Sequence, residues 1–367
     1  MPLRCTGGVS AAETKFDRVP SLRLTVDARV IAEDRRGIGR YARAVLRRLV
    51  ARDDIELTLL TAGLFAQRSR EAYARAIDST RFAVRSHVPR DTDLVWHPAN
   101  GTFFTSNRPN VATIHDAVPF RYPDADARKG ERDRAPFLRS AHSARRIIAV
   151  SQFGATEVHR YLDVPIERIT TIPHGVDAAF SPGPPEPPAL VEGKRYFLFV
   201  GDPIGEPRKN FDLLYDAYRR AWPDGEGPLL VVAGARAPQL PGVLHAGNLG
   251  DDLDPNAASP LRDWYRGAMA LTLASYHETF GMPMLEAMAC GTPVLASRGS
   301  SLEEVGGDAA LYLPFNDPDV WANALRTVDG DEALRFQLRE AGIARARQFT
   351  WEESAQRHLD VFRAVGE

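Results

Sequence analysis

The chain has 367 residues, of which 44% are hydrophobic, and a formal net charge of −2. This length predicts about two domains, and the charge balance excludes the basic surface of a nucleic-acid-binding protein. Two cysteines cannot form a disulfide framework, which favours a reducing compartment. No apolar run approaches the roughly 20 residues of a membrane span, and the first residues lack the apolar core of a signal peptide. We therefore expect a soluble, cytoplasmic protein with no nucleic-acid partner.

The N-terminal half alternates β-forming stretches with helical patterns. Residues 1–20 are small and polar, and we interpret them as a flexible extension. The predicted strands that follow cover residues 22–30, 55–61, 94–97, 111–115 and 147–151, and apolar spacing predicts a helix over residues 41–50. Strands that alternate with helices are typical of a parallel, doubly wound sheet. Residues 21–180 therefore form the first predicted domain.

A proline-rich segment, residues 181–190, is the clearest linker, and we interpret it as a hinge. Residues 191–351 form a second predicted doubly wound domain. Its strands are predicted at residues 196–201, 229–233, 243–246, 271–274 and 294–297, and its helices at residues 211–222, 261–269 and 281–290. The tail is predicted to be helical over residues 320–348 and 351–365. Two domains on a hinge place the natural ligand site in the cleft between them.

Two glutamates of the second domain, Glu278 and Glu286, are the most informative candidate site residues. Glu278 falls in the loop after the strand at residues 271–274, and such loops are where open α/β sheets bind ligands. Glu286 lies on the helix that follows. Free N–H groups of Phe280 and Gly281 at the start of that helix would attract hydroxyls or anions. Taken alone, two glutamates at this spacing are more often solvated side chains than a site.

The sequence around these glutamates is a longer motif. Glu278, Phe280-Gly281, Pro283 and Glu286 are followed by Ala-Met-Ala and Gly-Thr-Pro-Val within residues 287–294. This pattern resembles the donor-sugar motif of the retaining family 4 glycosyltransferases, which have the GT-B fold. The resemblance runs from about residue 22 to the tail. It implies two doubly wound, Rossmann-like parallel sheets that face each other across a cleft, with residues 21–180 on the acceptor side and residues 191–351 binding the nucleotide sugar. It also implies a C-terminal helix, residues 352–367, that crosses back to the N-terminal domain.

The resemblance also implies a role for each residue of the motif. Glu278 would bind hydroxyls of the donor sugar, together with Thr279 and the backbone amides of Phe280 and Gly281. Glu286 would bind the ribose hydroxyls of the nucleotide. The motif departs from the family at Thr279, where glycine is usual, but this change removes no chemical group that the motif needs.

A basic segment, Arg208-Lys209-Asn210, follows the first strand of the second domain. Cations beside a helix N-terminus suit a diphosphate, although a solvated loop with Asn210 as the helix cap is the commoner reading in isolation. The resemblance implies that Lys209 neutralises the leaving nucleoside diphosphate, with Arg208 beside it. Many family members have an arginine where this chain has Asp202, and we expect Arg208 to supply that charge.

His115 ends a predicted strand of the first domain, so its side chain is expected to face the cleft. Without further context a purely structural histidine is equally favoured. Residues 115–119 resemble the family's His-Asp-x-x-Pro signature, in which the histidine hydrogen-bonds the donor sugar or the reaction centre. We expect Asp116 to support the loop.

Gly37 and Gly39 form a weak glycine motif that predicts a tight turn before the first helix. The resemblance implies that their backbone N–H groups approach the donor phosphates. Three further residues are expected to be structural or marginal: Ser151 as a helix N-cap, Gly175 in a turn with positive φ, and His174 at the edge of the cleft.

No metal or cofactor is expected. Asp252-Leu253-Asp254 imitates the metal motif of another glycosyltransferase fold, but it lies in a loop where the resembled family has an acidic turn. No histidine or cysteine cluster has metal-ligand spacing. A GDP- or UDP-type nucleotide sugar would enter as a substrate. No carboxylate is an obvious covalent nucleophile, so the resemblance implies front-face attack with retention of configuration, and domain closure about the hinge would exclude water.

The pairing of His-Asp-x-x-Pro with Arg-Lys-Asn resembles bacterial mannosyltransferases of O-antigen and exopolysaccharide synthesis. It implies transfer of a hexose, first mannose from GDP-mannose and second a UDP-hexose, to a saccharide or lipid-linked saccharide acceptor. Basic residues on the first helix either contact the inner membrane or form a solvated face: Arg40, Arg43, Arg47 and Arg48.

Two other functions have weaker support in the sequence. A GT-B sugar-nucleotide epimerase is disfavoured by the motif from Glu278 to Glu286. A non-catalytic nucleotide-sugar-binding subunit would be expected to lack His115, Lys209 or Glu278, and the chain has all three.

Overall fold

The computed structural model describes residues 21–32, 34, 37–61, 66–184, 188–191, 193–249 and 260–366. The predicted extension at residues 1–20 and the Asp252-Leu253-Asp254 segment lie outside these residues, as does part of the predicted hinge.

Seven strands of the N-terminal half form one sheet in the order β3-β2-β1-β4-β5-β6-β7. Every pairing between neighbouring strands is parallel, so all carboxyl ends meet at one edge. The strands are β1 (Leu22–Asp27), β2 (Ile55–Leu60), β3 (Phe82–Arg85), β4 (Leu94–His97), β5 (Asn110–Ile114), β6 (Arg146–Ala149) and β7 (Ile169–Thr171). The helices between them are α1 (Gly37–Val50), α2 (Ala66–Ile77), α3 (Val118–Arg121), α4 (Ala127–Ser143) and α5 (Gln152–Leu162).

A second parallel sheet of six described strands follows, in the order β10-β9-β8-β11-β12-β13. The strands are β8 (Tyr196–Val200), β9 (Leu229–Ala233), β10 (Val243–Gly247), β11 (Ala270–Leu273), β12 (Val294–Ser297) and β13 (Leu311–Leu313). Its helices, with the tail, are α6 (Phe211–Ala221), α7 (Pro260–Gly267), α8 (Met282–Cys290), α9 (Ser301–Gly306), α10 (Pro318–Gly330), α11 (Glu332–Ala346) and α12 (Trp351–Gly366). Strands β8, β9, β11 and β12 are apolar and mostly buried, as expected for a parallel sheet covered on both faces.

The sequence missed three strands, β3, β7 and β13, which have four, three and three residues. They flank longer strands at or near the sheet edges, and runs this short carry no readable alternation. The single helix predicted over residues 320–348 is also wrong. Asp331 ends α10 and caps α11, because its side chain accepts a hydrogen bond from the Leu334 N–H.

The last helix, α12, packs on α1 and reaches β4 and β5 of the N-terminal sheet, which confirms the predicted crossing. Its apolar face, including Trp351, Leu359 and Phe362, is fully buried in the N-terminal core. Gly175 does not adopt the predicted positive φ. A Cβ atom there would lie 2.2 Å from the Trp351 backbone nitrogen, so close approach of the entering tail requires glycine.

A buried polar chain joins α12 to the sheet. Tyr41 Oη lies 2.5 Å from His358 Nε2 and 3.0 Å from Thr113 Oγ1. The other ring nitrogen of His358 donates to the Ser354 carbonyl, so in the neutral ring Nε2 accepts the Tyr41 proton. Burial lowers the pKa of His358 to about 4, which keeps the ring neutral. The crossing helix thereby fixes Tyr41, whose ring packs edge-on against His115 at 4.7 Å.

Candidate functional site

A cleft of about 700 Å³ is lined by residues of both domains. The first domain contributes the start of α1 and the loop after β5, which carries His115. The second contributes the ends of β8 and β9 and the loop between β11 and α8, which carries Glu278. Because ligands of open α/β sheets bind beyond the carboxyl ends of strands, the cleft occupies the expected place for both sheets.

Glu278 is a buried carboxylate of this cleft with two hydrogen-bond donors and a nearby arginine. Its Oε1 atom accepts hydrogen bonds from Lys209 Nζ at 2.8 Å and from Ser275 Oγ at 3.0 Å. Arg208 Nη1 lies 3.5 Å from Oε2. Burial raises the pKa of Glu278, but Lys209 and Arg208 outweigh it and bring the pKa to about 2. Glu278 is therefore an ionised, oriented carboxylate and not a general acid.

Lys209 is buried, and local backbone geometry explains its position. It ends a short 3₁₀ turn, Pro207–Lys209, and the next residue, Asn210, has a left-handed conformation with φ of 57°. The sequence suggested that Asn210 caps α6, but its side chain forms no capping hydrogen bond there. It donates instead to the carbonyls of Ala274 and Phe315, which ties the basic turn to the end of β11.

Arg208 lies between two glutamates. Its Nη2 atom is 2.7 Å from Glu206 Oε1, and Nη1 faces Glu278. Burial lowers the pKa of Arg208, but Glu278 and Glu206 raise it above its usual value. The guanidinium therefore remains charged at the mouth of the cleft.

Sequence reasoning missed Arg236, which also lines the cleft. Asp202, the residue that replaces the usual arginine of the family, forms an ion pair with Arg236 Nη2 at 2.7 Å. A hydrogen bond from Arg236 lowers the pKa of Asp202. The cation at this strand end thus comes from a residue 34 positions later in the chain.

Residues 279–281, the loop after Glu278, line the cleft, and the Phe280 side chain is buried. Gly281 has φ of 88° and precedes the first residue of α8, so the helix starts one residue later than predicted. The Phe280 ring is buried and packs edge-on against His174 at 4.6 Å. The Thr279 carbonyl accepts a hydrogen bond from Ser151 Oγ, which also caps α5 as predicted. Thr279 therefore connects the motif to the N-terminal domain.

Glu286 is buried in the cleft wall and contacts the opposite domain. Arg40 Nη1 lies 2.7 Å from Oε1, and Tyr265 Oη donates to Oε2 at 3.0 Å. Arg40 also reaches Asp177 at 3.1 Å. Burial and the neighbouring Glu286 carboxylate raise the pKa of Tyr265 well above its usual value, so this hydroxyl is a permanent donor.

His115 lines the cleft from the first domain and is held at three points. Its Nε2 atom lies 2.8 Å from the Pro98 carbonyl oxygen. Its backbone N–H donates to Asn100 Oδ1 at 2.6 Å. Its ring stacks on His174 with centroids 5.6 Å apart. Burial lowers the pKa of His115. Since a carbonyl can only accept, the neutral ring carries its proton on Nε2, and Nδ1 is an acceptor.

The two glycines of the α1 motif have different environments. Both lie in the first turn of α1 and not in a turn before it. Gly37 lines the cleft opposite Met282. Gly39 is buried outside the cleft lining, and a Cβ atom there would lie 1.9 Å from the Asp34 carbonyl oxygen. The close approach of the Asp34 carbonyl therefore requires glycine at position 39, and the approach of its backbone N–H to the donor phosphates stays a prediction.

The four arginines of α1, predicted to contact the inner membrane or to form a solvated face, differ in burial. Arg43 is buried and donates to the Asp34 carbonyl, and Arg47 donates to the Ala76 carbonyl. Arg48 pairs with Glu352 of α12. With Arg40 bound to Glu286, each side chain has a partner within the protein.

Two absences hold for the described part of the chain. No group of three or more histidines, cysteines, aspartates or glutamates there could hold a metal ion. None of the helices found in these ranges has the length and apolar character needed to cross a membrane.

Comparisons with known proteins agree with this architecture. Residues 35–180 match the Glycosyltransferase Family 4 model, and residues 185–346 match the model of Glycosyl transferases group 1. The chain is 29% identical to the O-antigen chain mannosyltransferase B of Escherichia coli, over 90% of this chain and 96% of that protein. It is 26% identical to the D-inositol 3-phosphate glycosyltransferase of Kineococcus radiotolerans, over 86% and 78%.

Solved structures share the fold at lower identity. Sucrose-phosphate synthase from Thermosynechococcus elongatus superimposes with a TM-score of 0.70 and 18% identity, over 94% of this chain and 98% of that one. Anabaena HepE in complex with UDP-glucose superimposes with a TM-score of 0.65 and 17% identity, over 93% and 99%. These likenesses confirm the predicted fold, in which two parallel-sheet domains face each other across the cleft. The chain belongs to the family 4 glycosyltransferases and is a transferase enzyme with the GT-B fold.

Proposed function

We propose that this enzyme transfers a hexose from a nucleotide sugar to a saccharide acceptor with retention of anomeric configuration. One observation carries the proposal. Lys209 and Arg208 converge on Glu278 on one side of the cleft, and a buried, neutral His115 lines the other. A cleft with preorganised cations, an ionised carboxylate and a neutral hydrogen-bond acceptor suits a diphosphate attached to a polyhydroxylated sugar.

Lys209 and Arg208 are the proposed diphosphate ligands. Glycosyl transfer develops negative charge on the departing diphosphate, and fixed positive charge at that point lowers the barrier most effectively. Arg236, which follows the neighbouring strand β9 and is paired with Asp202, also lines the cleft, as does Gly37 at the start of α1. Glu278 keeps the Lys209 ammonium in place while retaining lone pairs for a ligand.

The remaining residues would hold the sugar and the ribose. Glu278 would accept hydrogen bonds from sugar hydroxyls, with Thr279 and the Phe280 and Gly281 amides nearby. Glu286 would accept from the ribose. His115 would accept a sugar hydroxyl at Nδ1, because Nε2 already donates to Pro98.

In the proposed reaction the bond between the anomeric carbon and the diphosphate oxygen breaks while the acceptor hydroxyl oxygen bonds to the same face of that carbon. The departing diphosphate takes the hydroxyl proton, so no covalent enzyme intermediate forms. Closure of the two domains would exclude water and suppress donor hydrolysis. No metal is proposed, because the cations of the site are side chains.

Mannose from GDP-mannose is the first choice of donor. The support is the 29% identity, over nearly the full length of both proteins, to an O-antigen chain mannosyltransferase. A UDP-sugar is the second, because the structurally similar HepE was solved with UDP and with UDP-glucose. The same mannosyltransferase supports a saccharide or lipid-linked saccharide acceptor in bacterial surface polysaccharide synthesis. Peripheral contact with the inner membrane would accompany a lipid-linked acceptor.

The test measures release of nucleoside diphosphate from GDP-mannose, UDP-glucose and related donors, with and without saccharide acceptors. We expect release from one nucleotide class, increased by acceptor, and a product that keeps the anomeric configuration of the donor. Lys209→Ala should abolish release, and Lys194→Ala, which removes an exposed lysine of the same domain, should not. Wild-type turnover in the Lys209 variant, or no release from any donor, would sink the proposal.

A further inference from the structure

A buried hydrogen bond joins the two domains directly beside Glu278. His277, the preceding residue, has its Nε2 atom 2.9 Å from Oε2 of Glu157 on α5 of the N-terminal domain. Their side chains are 1% and 5% exposed, so water does not compete for this contact. Removing one partner of such a buried polar pair costs free energy, and the roles proposed for the donor site leave both residues unused.

Glu157 orients the His277 ring. The other oxygen of this carboxylate, Oε1, accepts a hydrogen bond from Arg121 Nη1 at 2.8 Å. A carboxylate can only accept, so the ring donates to it through Nε2. Among the described residues the second ring nitrogen of His277, Nδ1, is buried and has no hydrogen-bond partner. Glu157 is therefore the polar group that fixes the direction of the ring.

Arg121 extends this contact to the loop that carries His115. It is the last residue of α3, a single turn that begins three residues after His115. We call Arg121, Glu157 and His277 the interdomain bridge. The bridge leads from the loop after β5 to the loop between β11 and α8. It therefore joins two loops, one in each domain, that carry His115 and Glu278.

The residue after Glu278 is bound to the same helix of the opposite domain. Ser151 Oγ, at the N-terminus of α5, donates to the Thr279 carbonyl. His277 and Thr279 therefore both contact α5 or its cap, one through its side chain and the other through its backbone. Glu278 lies between these two points, so its backbone is anchored to the N-terminal domain on both sides.

Contacts within the second domain set only the direction of the Glu278 side chain. Lys209 and Ser275 bind its carboxylate, and both belong to the same domain as Glu278. The distance from Glu278 to the opposite wall of the cleft depends on how the two domains dock. Because hydrogen bonds are short and directional, a buried network of them is satisfied in one geometry only. The interdomain bridge therefore holds the Glu278 loop at one distance from the His115 loop.

We propose that Glu157 and His277 are positioning residues. Their hydrogen bond places the Glu278 carboxylate at the separation from His115 that the donor sugar requires. This inference rests on the proposed transferase function and adds to it two residues that act through Glu278. The proposed diphosphate cations belong to the second domain alone. Loss of the bridge should therefore weaken the binding of the sugar and spare the binding of the diphosphate.

Binding of a nucleotide sugar and of its nucleoside diphosphate to the full chain separates positioning from a general loss of structure. The pair is GDP-mannose with GDP or UDP-glucose with UDP, whichever wild type binds more tightly. His277→Ala and Glu157→Ala should each raise the Kd of the nucleotide sugar about tenfold and that of the diphosphate by no more than about twofold. His277→Gln, whose amide can donate to Glu157, should stay within about threefold of wild type for both. Equal changes for sugar and diphosphate in the alanine variants, or no change in either, would overturn the positioning role.

His159→Ala is the matched control, because this histidine lies on the same helix and its Nδ1 atom is 2.8 Å from the Val164 carbonyl of its own domain. Both of its affinities should match those of wild type.

The double variant Glu157→Ala/His277→Ala tests the bridge without any ligand. Its loss of Tm should be smaller than the sum of the two single losses, because the second substitution removes a contact that is already broken. Additive losses would overturn the bridge. Wild-type protein that binds neither nucleotide sugar would refute the proposed function and with it the positioning role, whereas the Tm values would still decide whether the bridge exists.

Discussion

Arg40 and Glu286 form a 2.7 Å ion pair between α1 of one domain and α8 of the other. Their side chains are 15% and 4% exposed, so both charges are largely withdrawn from water. Tyr265 and Asp177 complete the network. The carboxylate proposed to hold the ribose is therefore oriented by a side chain of the opposite domain, and the donor site depends on how the domains are arranged.

Arg40→Gln should reduce thermal stability and donor affinity together. Removing one partner of a buried ion pair leaves the other charge uncompensated and costs about 3–5 kcal/mol, which corresponds to a loss of roughly 5 °C or more in Tm. The donor KM should rise about tenfold, on the order of 1.4 kcal/mol, because Glu286 loses its orientation. Thermal denaturation and initial rates at varied donor concentration measure the two effects.

Arg48→Gln is the matched control, since it breaks an ion pair between α1 and α12 that is far more exposed, at 32% and 71%. Such a pair contributes about 1 kcal/mol or less. If the two variants lose equal stability and bind donor equally well, the Arg40 network has no special role.

Protonation of Glu278 in acid should lower the thermal stability of the folded protein. Its pKa is lowered from 4.5 to about 2 in the folded state. A depressed carboxyl pKa stabilises the fold above the unfolded value, and that contribution disappears as the pH falls through the folded value. The Tm difference between wild type and Glu278→Gln should therefore be constant above about pH 5 and shrink between pH 4.5 and pH 2.

Glu353→Gln, at an exposed position on α12, provides the comparison for the acid titration. Its Tm should follow that of wild type across the whole pH range. A Glu278→Gln curve that runs parallel to wild type below pH 4.5 would contradict the ion pair with Lys209 and Arg208.

His115→Gln should separate the catalytic contribution of this residue from its structural one. The Gln amide can replace the Nε2 donor to the Pro98 carbonyl, but it offers no acceptor at the Nδ1 position. We expect kcat to fall on the order of 100-fold, with a Tm close to wild type. Because burial lowers the pKa of His115 below 6.5, wild-type activity should show no titration of this ring above that pH. A rate loss matched by an equal loss of folded protein would assign His115 to packing.

The motif from Glu278 to Glu286 was readable from the sequence because one strand, one loop and one helix turn hold all of it. Because the loop leads directly into α8, residues of the motif that are close in sequence are also close in the structure. The same holds for Lys209, which follows β8 through a short turn. Local chemistry of this kind needs no knowledge of how the domains pack.

The partners of these residues could not be predicted, because each comes from a distant part of the chain. Glu286 pairs with Arg40 of the other domain, and Asp202 pairs with Arg236 in the connection between β9 and β10. Because Asp202 stands where many family members have an arginine, the sequence suggested that Arg208 supplies the missing positive charge. Only the parallel pairing of β8 with β9 places Arg236 beside Asp202.

Gly39→Ala provides a direct test of whether the first glycine motif serves packing or ligand binding. The added Cβ would lie 1.9 Å from the Asp34 carbonyl oxygen, and backbone at that distance must move. We expect the free energy of unfolding to fall by about 3 kcal/mol or more, in the range of severe overpacking.

The Cβ atom of Gly37→Ala meets only Met282 Sδ at 3.5 Å, an ordinary contact, so the Tm of this variant should change little. Gly130→Ala in α4, where the nearest atoms lie 3.9 Å away, should be neutral or stabilising by roughly 0.5–1 kcal/mol. Thermal denaturation of the three variants gives their order of stability, and donor binding by Gly37→Ala shows whether a ligand approaches this backbone too closely for a Cβ atom. If the Gly39→Ala protein were as stable as the Gly37→Ala protein, the packing role of Gly39 would be contradicted and the phosphate contact predicted from the sequence would be favoured.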